Sequence, residues 1–149
     1  MSVQIFAELS TSELYEILRL RSDVFFVEQR VSVSEIDGRD LERETEHYSI
    51  RDDRGVAAYL RLLHDDEPEH ADAHRVLGRV AVRADRRGEG LARALLDAVI
   101  ERHAGEAMLL HSQEYIVPLY TRAGFRPVGE PFVEAGIPHR SMYRPASAG

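Results

Sequence analysis

The spacing of apolar residues along the chain changes several times, and each change marks an element. Val3 to Glu8 alternates apolar and polar positions, which predicts a short strand. Ser10 with Glu13 forms a capping box, and Leu14, Ile17, Leu18, Arg21 and Phe25 then recur at helical spacing, so a helix should run to about Val27. Glu28 to Glu46 has little periodicity and contains the turn signal Asp37-Gly38-Arg39-Asp40. A loop of that length in a compact domain is usually functional or partly helical. His47–Arg51 and Val56–Leu63, joined through Asp52-Asp53-Arg54-Gly55, read as a hairpin.

Arg75 to Val82 is the next strand, with Gly78 marking a bulge or a close approach. Leu91, Ala94, Leu95, Ala98, Val99 and Arg102 share one face of a helix that Gly105 can end. Ala107–His111 suits a buried strand. Pro118–Ala123 is a brief helix stopped by Gly124, and Phe125–Val128 a further strand. Gly129–Pro138 reads as a loop and His139–Tyr143 as a last, edge strand. There is no repeat and no linker, so residues 1–149 are expected to form one mixed α/β domain.

Bulk properties narrow the classes. An apolar fraction of 44% suits a globular chain rather than a disordered one. No apolar run approaches a membrane span, and no signal-peptide pattern opens the chain, so a cytoplasmic protein is expected. The absence of cysteine removes disulfides, thiolate nucleophiles and cysteine metal sites. A formal charge of −7 argues against nucleic-acid binding and suits a cationic partner such as an amine. His64, His70 and His74 with Asp65, Asp66, Glu67 and Glu69 fit no common zinc spacing; they read as a solvated loop, and no metal is expected.

The chemistry concentrates in Arg87-Gly88-Glu89-Gly90-Leu91-Ala92. A glycine turn opening a helix leaves backbone N–H groups free at the positive end of the helix dipole, a seat for phosphate. The triphosphate P-loop needs Gly-Lys-Ser/Thr, which is absent. The dinucleotide fingerprint needs a third glycine where Arg93 stands. Arg/Gln-x-x-Gly-x-Gly/Ala is matched by Arg87, Gly90 and Ala92.

That last pattern is the acetyl-coenzyme A signature of the GNAT acetyltransferases, and its surroundings resemble the same family. Gly78-Arg79-Val80-Ala81-Val82 leads into the signature, and Pro118-Leu119-Tyr120-Thr121-Arg122-Ala123-Gly124-Phe125 resembles the family's tyrosine helix. The segments 20–29, 35–40, Thr45-Glu46-His47 and Gly136-Ile137-Pro138-His139 are similar to the ElaA-like subfamily. The resemblance implies the GNAT acyl-CoA N-acyltransferase fold: about seven mostly antiparallel strands, a central parallel pair splayed between the Val80 and Leu110 strands, and flanking helices. It also implies acetyl-CoA as co-substrate, direct transfer to an amine in a ternary complex, and a homodimer.

Residue by residue, the resemblance implies that the amides of Arg87, Gly88, Glu89, Gly90, Leu91 and Ala92 hold the pyrophosphate, with Arg86, Arg87 and Arg93 adding charge. Val80, Ala81 and Val82 would pair with the pantetheine arm as an added strand does. Gln113 would contact that arm. Tyr120 would be the acid that protonates the leaving thiolate: a phenol near pKa 10 is close to balanced against a thiol near about 8.5. Glu46, His47, His111 and Glu114 are the candidates for a base, with Glu46 and His111 the favoured pair and His47 beside the acceptor. His139 would line the acceptor site. Two other readings stay open: a CoA-binding sensor without turnover, and an enzyme acting on protein lysines or N-termini.

Overall fold

The computed structural model describes residues 1–31 and 33–147, so Ser32, inside the expected 28–46 loop, lies outside the described residues. Its strands are β1 (Ser2–Ile5), β2 (Glu46–Asp52), β3 (Gly55–His64), β4 (Arg75–Val82), β5 (Met108–Gln113), β6 (Arg126–Glu134) and β7 (Ile137–Arg144). They form one sheet in the order β1-β2-β3-β4-β5-β7-β6. Every neighbouring pair is antiparallel except β4 and β5 at the centre. No helix among the described residues is long and apolar enough to cross a membrane.

Among the described residues, three α-helices flank the sheet. In α1 (Thr11–Arg21) the capping box is realised: the Ser10 hydroxyl accepts from the Glu13 amide, and the Glu13 carboxylate accepts from the Ser10 amide. The helix does not continue as α to Val27. It widens into a π-helical segment at Ser22–Glu28, where the amides of Gln29 and Val31 reach back to Val24 and Phe25. Such widenings cluster at functional sites, and this one brings Phe25 and Gln29 to a cavity described below.

The two faces of the sheet bury different clusters. On one, α2 (Leu91–Arg102) and α3 (Val117–Arg122) cover Tyr48, Leu60, Leu62, Leu77, Leu110 and Met142 with Leu95, Leu96, Val99 and Tyr120. On the other, Ile17, Leu20 and Val24 pack on Val56, Tyr59 and Ala81.

The C-terminal hairpin departs from expectation. The Gly129–Pro138 segment is not a loop, because β6 runs on to Glu134 and turns through Ala135 (φ 51°) and Gly136 (φ 77°) into β7. Two positive φ values make this a tight two-residue hairpin turn. The His139–Tyr143 strand is correspondingly interior, hydrogen-bonded to β5 on one side and β6 on the other. The outer position falls to β6, whose Pro127 and Pro131 are tolerated there.

Candidate active site

The parallel pair β4–β5 is short. Its partners are Arg75–Met108, Val76–Leu109 and Leu77–Leu110, after which the strands part. From Gly78 to Val82 the β5-facing edge of β4 has no strand partner among the described residues, while its other edge stays on β3 through Tyr59–Ala81 and Ala58–Val82. The gap opens into a cavity of about 490 Å³ lined by both strands, the π segment, α3 and the β6–β7 turn.

The bulge in β4 sits at Arg79 rather than Gly78. Tyr59 pairs with Ala81 but Arg61 with Gly78, so β4 carries one extra residue, and Arg79 adopts a left-handed φ of 53°. Gly78 has no such backbone demand, and a Cβ there would meet nothing within 4 Å. Its missing side chain leaves open cavity floor.

At the end of β4 the chain turns into α2 through Gly88 (φ 84°) and Gly90 (φ 78°), both left-handed and both facing open space. Gly90 caps α2 without a side-chain hydrogen bond, and the helix's first bond runs from the Ala94 amide to the Gly90 carbonyl. The amides of Leu91, Ala92 and Arg93 thus face outward at the positive helix end. The nearby arginines are all engaged by carboxylates: Arg86 by Asp52 and Glu89, Arg87 by Glu28, and Arg93 by Asp97.

Tyr120 lines the cavity from the α2–α3 face, with its ring edge-on to Phe125. Burial pushes its phenol above the ordinary tyrosine range, so at neutral pH it keeps its proton and holds it more tightly than an exposed phenol does. Val80 and Gln113 line the same cavity, and the Gln113 amide donates to Gln29 Oε1 at 3.0 Å. Ala81 and Val82 continue the open edge without lining the cavity.

Three expected acid–base residues stand differently. Glu46 is outside the cavity; its carboxylate accepts from Tyr48 and His103 at 2.7 Å and from Arg102 at 3.2 Å. Burial opposes its charge, but the Tyr48 and His103 hydrogen bonds outweigh that and hold its carboxyl below the usual value. His47 is buried beneath the cavity, bonded to Tyr59 Oη at 2.6 Å and to the Asp40 carbonyl at 3.1 Å, and burial keeps it neutral. It is not among the residues that line the cavity.

His111 does line the cavity, but Glu134 meets its Nδ1 at 2.9 Å and Glu69 its Nε2 at 2.8 Å. The Glu134 hydrogen bond, against burial and with help from Glu69, pushes its pKa up to about 9. At neutral pH it is an imidazolium with no lone pair to take a proton.

His139 lies on the cavity wall and is buried, its Nδ1 2.7 Å from the Ile137 carbonyl and its Nε2 3.6 Å from Glu134 Oε2. Glu114 is not a lining residue.

The cavity's other wall is a charge network. Arg21 is fully buried and bonds Glu35 and Asp40; Arg61 bonds Asp37 and Asp40; Arg79 bonds Asp37 and the Glu35 carbonyl. Desolvation disfavours the Asp37 anion, yet the Arg61 hydrogen bond and the Arg39 amide hold it well below the usual carboxylate range. Sequence reasoning missed this wall. The available signal was an arginine inside each of three apolar patterns: Arg21 on the helix face, Arg61 and Arg79 in strands. Where the 64–74 connection starts, His64 and Asp66 meet Glu44 of the loop before β2, with ligand-type atoms within 4.8 Å of one another on a largely exposed surface.

Comparison with known proteins gives a consistent result. The acetyltransferase (GNAT) domain family matches residues 19–144. A UPF0039 protein of Mycobacterium tuberculosis is 38% identical over 143 residues, covering 94% of this chain and 89% of that protein. Protein ElaA of Escherichia coli is 35% identical over 139 residues, covering 93% and 91%, and its crystal structure superposes with a TM-score of 0.85 over 96% and 97% of the two chains. An acyl-CoA N-acyltransferase from Pseudomonas aeruginosa superposes with a TM-score of 0.86 at 34% identity, over 96% of this chain and 97% of that one. The splayed sheet, the glycine turn and these relatives agree: the chain belongs to the GNAT acetyltransferase family, in its ElaA-like subfamily.

Proposed function

We propose that the protein is an acetyl-CoA-dependent N-acetyltransferase, moving an acetyl group from the CoA thioester to a primary amine by direct attack. The observation that carries this reading is the unpaired β4 edge from Gly78 to Val82, which joins an open glycine turn at one end to a cavity bearing Tyr120 at the other. An extended pantetheine arm has the length and the amide groups to complete such an edge, as an added strand does.

In this reading the outward amides of α2 take the pyrophosphate. An N–H at the Arg79 bulge takes the thioester oxygen as it becomes an oxyanion, a contribution typically about 3 kcal/mol or more per donor. Tyr120 protonates the departing sulfur. Arg87 contributes through its backbone, because its guanidinium is held by Glu28 and by the Val82 carbonyl.

The test is release of free CoA thiol from acetyl-CoA across a panel of small amines and basic peptides. Release that depends on an amine supports transfer. CoA binding without release above hydrolysis would replace this reading with a non-catalytic sensor. Basic peptides outcompeting small amines would assign the acceptor to protein.

A further inference from the structure

We infer that His139 is the general base that deprotonates the acceptor amine, with the Glu134 carboxylate beside its free nitrogen. This rests on the proposed acyl transfer and adds the group which that reading leaves open.

The first observation is the tautomer. A carbonyl oxygen only accepts, so the 2.7 Å contact to Ile137 assigns a proton to Nδ1. In the neutral ring the lone pair is therefore on Nε2, the nitrogen 3.6 Å from Glu134 Oε2. That separation is too long for a hydrogen bond, yet an imidazolium would sit beside a carboxylate. The ring is fixed in place by the β5–β7 ladder, where His139 pairs with Gln113, and by stacking on Phe132 at 6.0 Å. A base oriented through one nitrogen and ready at the other is the arrangement proton abstraction needs.

The second observation is the side from which it approaches. Met142 pairs with Leu110, and both belong to the cluster that contains Tyr120. His139 lies three residues from Met142 along β7, so alternation puts it on the opposite face of the sheet. The cavity reaches both faces because β4 and β5 part there. Acid and base thus address the gap from opposite faces of the sheet, so neither stands in the other's path to the thioester between them.

Elimination supplies the third. Of the histidines on the cavity wall, His111 is held protonated between Glu69 and Glu134. The Glu35 carboxylate lies on Arg21 and Arg79, and Asp37 on Arg61 and Arg79. The charged group against His139 is Glu134 of β6, on which His111 of β5 and Arg79 of β4 also act, while Glu69 of the β3–β4 connection holds the other nitrogen of His111.

The step balances as follows. The arriving ammonium gives one proton to His139 Nε2, which passes it to solvent. The freed nitrogen pair forms the C–N bond, the C–S bond breaks with its electrons going to sulfur, and sulfur takes a proton from Tyr120. The nitrogen's second proton restores the phenol through solvent, so the products are the amide, CoA thiol and one released proton.

The test compares wild type with His139→Asn, whose side-chain amide can still donate to the Ile137 carbonyl. Thiol release is followed from acetyl-CoA with the best amine of the panel and with hydroxylamine, whose nitrogen is neutral at pH 7. With the amine, kcat should fall about 10²- to 10⁴-fold. The ascending limb of the pH profile assigned to a histidine should disappear, while CoA Kd and Tm stay at wild-type values. With hydroxylamine the defect should shrink at least tenfold.

A kcat within threefold of wild type, a change confined to KM, or an equal defect with hydroxylamine overturns the inference. If His139→Asn does not fold, His139→Gln takes its place with the same readouts, and the same outcomes overturn the inference. Wild-type protein that binds CoA but releases no thiol with any amine overturns the proposed function and this base together. A wild type that turns over beside an active His139→Asn overturns the base alone.

Discussion

Arg87 and Glu28 form a two-pronged ion pair, Nη1 to Oε2 at 2.8 Å and Nη2 to Oε1 at 2.7 Å, that ties the glycine turn to the π-helical segment. The Arg87 Nε donates to the Val82 carbonyl as well, so one side chain joins the end of β4, the turn and the end of the π segment. The first residue of the signature is thereby a brace for the turn, with its amide and not its charge left for a ligand.

Glu28→Gln should accordingly leave CoA Kd within about threefold. It should cost about 1 kcal/mol or less of stability, since both side chains are more than a third exposed. Gly90→Val, which forces a branched side chain into a left-handed φ and into the open space before the amides, should raise CoA Kd about tenfold or more. Calorimetry on both variants separates the two roles. Tenfold tighter CoA binding by Glu28→Gln would instead make Arg87 a phosphate ligand that Glu28 holds back.

Tyr120→Phe keeps the ring that packs against Phe125 and removes only the hydroxyl. Stopped-assay kinetics should give a kcat lower by about 10²-fold with CoA affinity unchanged. An unchanged kcat would take Tyr120 out of the chemistry.

Asp40 is buried between Arg21 and Arg61, accepting from both. Asp40→Ala leaves two buried guanidinium groups short of a counter-charge, and breaking such an arrangement typically costs about 3–5 kcal/mol. Denaturant unfolding should show that loss. A change below about 1 kcal/mol would mean that Glu35 and Asp37 suffice to balance the cluster.

His111 gives a pH dependence with a definite sign. Its folded pKa is raised to about 9 from an ordinary value near 6.5. Its contribution to stability is therefore complete below about pH 6.5 and is lost as pH rises through about 9. Tm of the wild type should fall relative to His111→Gln between pH 7 and 10. Parallel Tm curves across that range would show that the two carboxylates do not hold the imidazolium.

Local signals carried most of the fold. The strand–turn–helix of β4 and α2 and the tyrosine helix α3 were legible because glycine placement and apolar spacing act within a few residues. The β6–β7 hairpin was not. Glycines and prolines in Gly129–Pro138 resemble loop composition, and only a sheet edge makes them acceptable in a strand. The Arg21–Asp40–Arg61 network was hidden for a different reason: its members lie 19 and 21 residues apart, and a charge inside an apolar pattern is explained only when its partner arrives. His47 and Glu46 open the second strand out from the splayed pair, and their successive side chains leave opposite faces, His47 to Tyr59 and Glu46 to His103, so neither lines the cavity.

The extra residue at Arg79 also fixes the phase of β4. Leu77, Val80 and Val82 meet the α2-side core although the first two are three positions apart, and Ala81 meets the α1 side. Removing one residue between Leu77 and Ala81 would exchange those faces, sending Val80 and Val82 toward the charged wall and Ala81 toward α2. This strand tolerates substitution more readily than a change in length, and an insertion or deletion here would dismantle core and cavity in a single event.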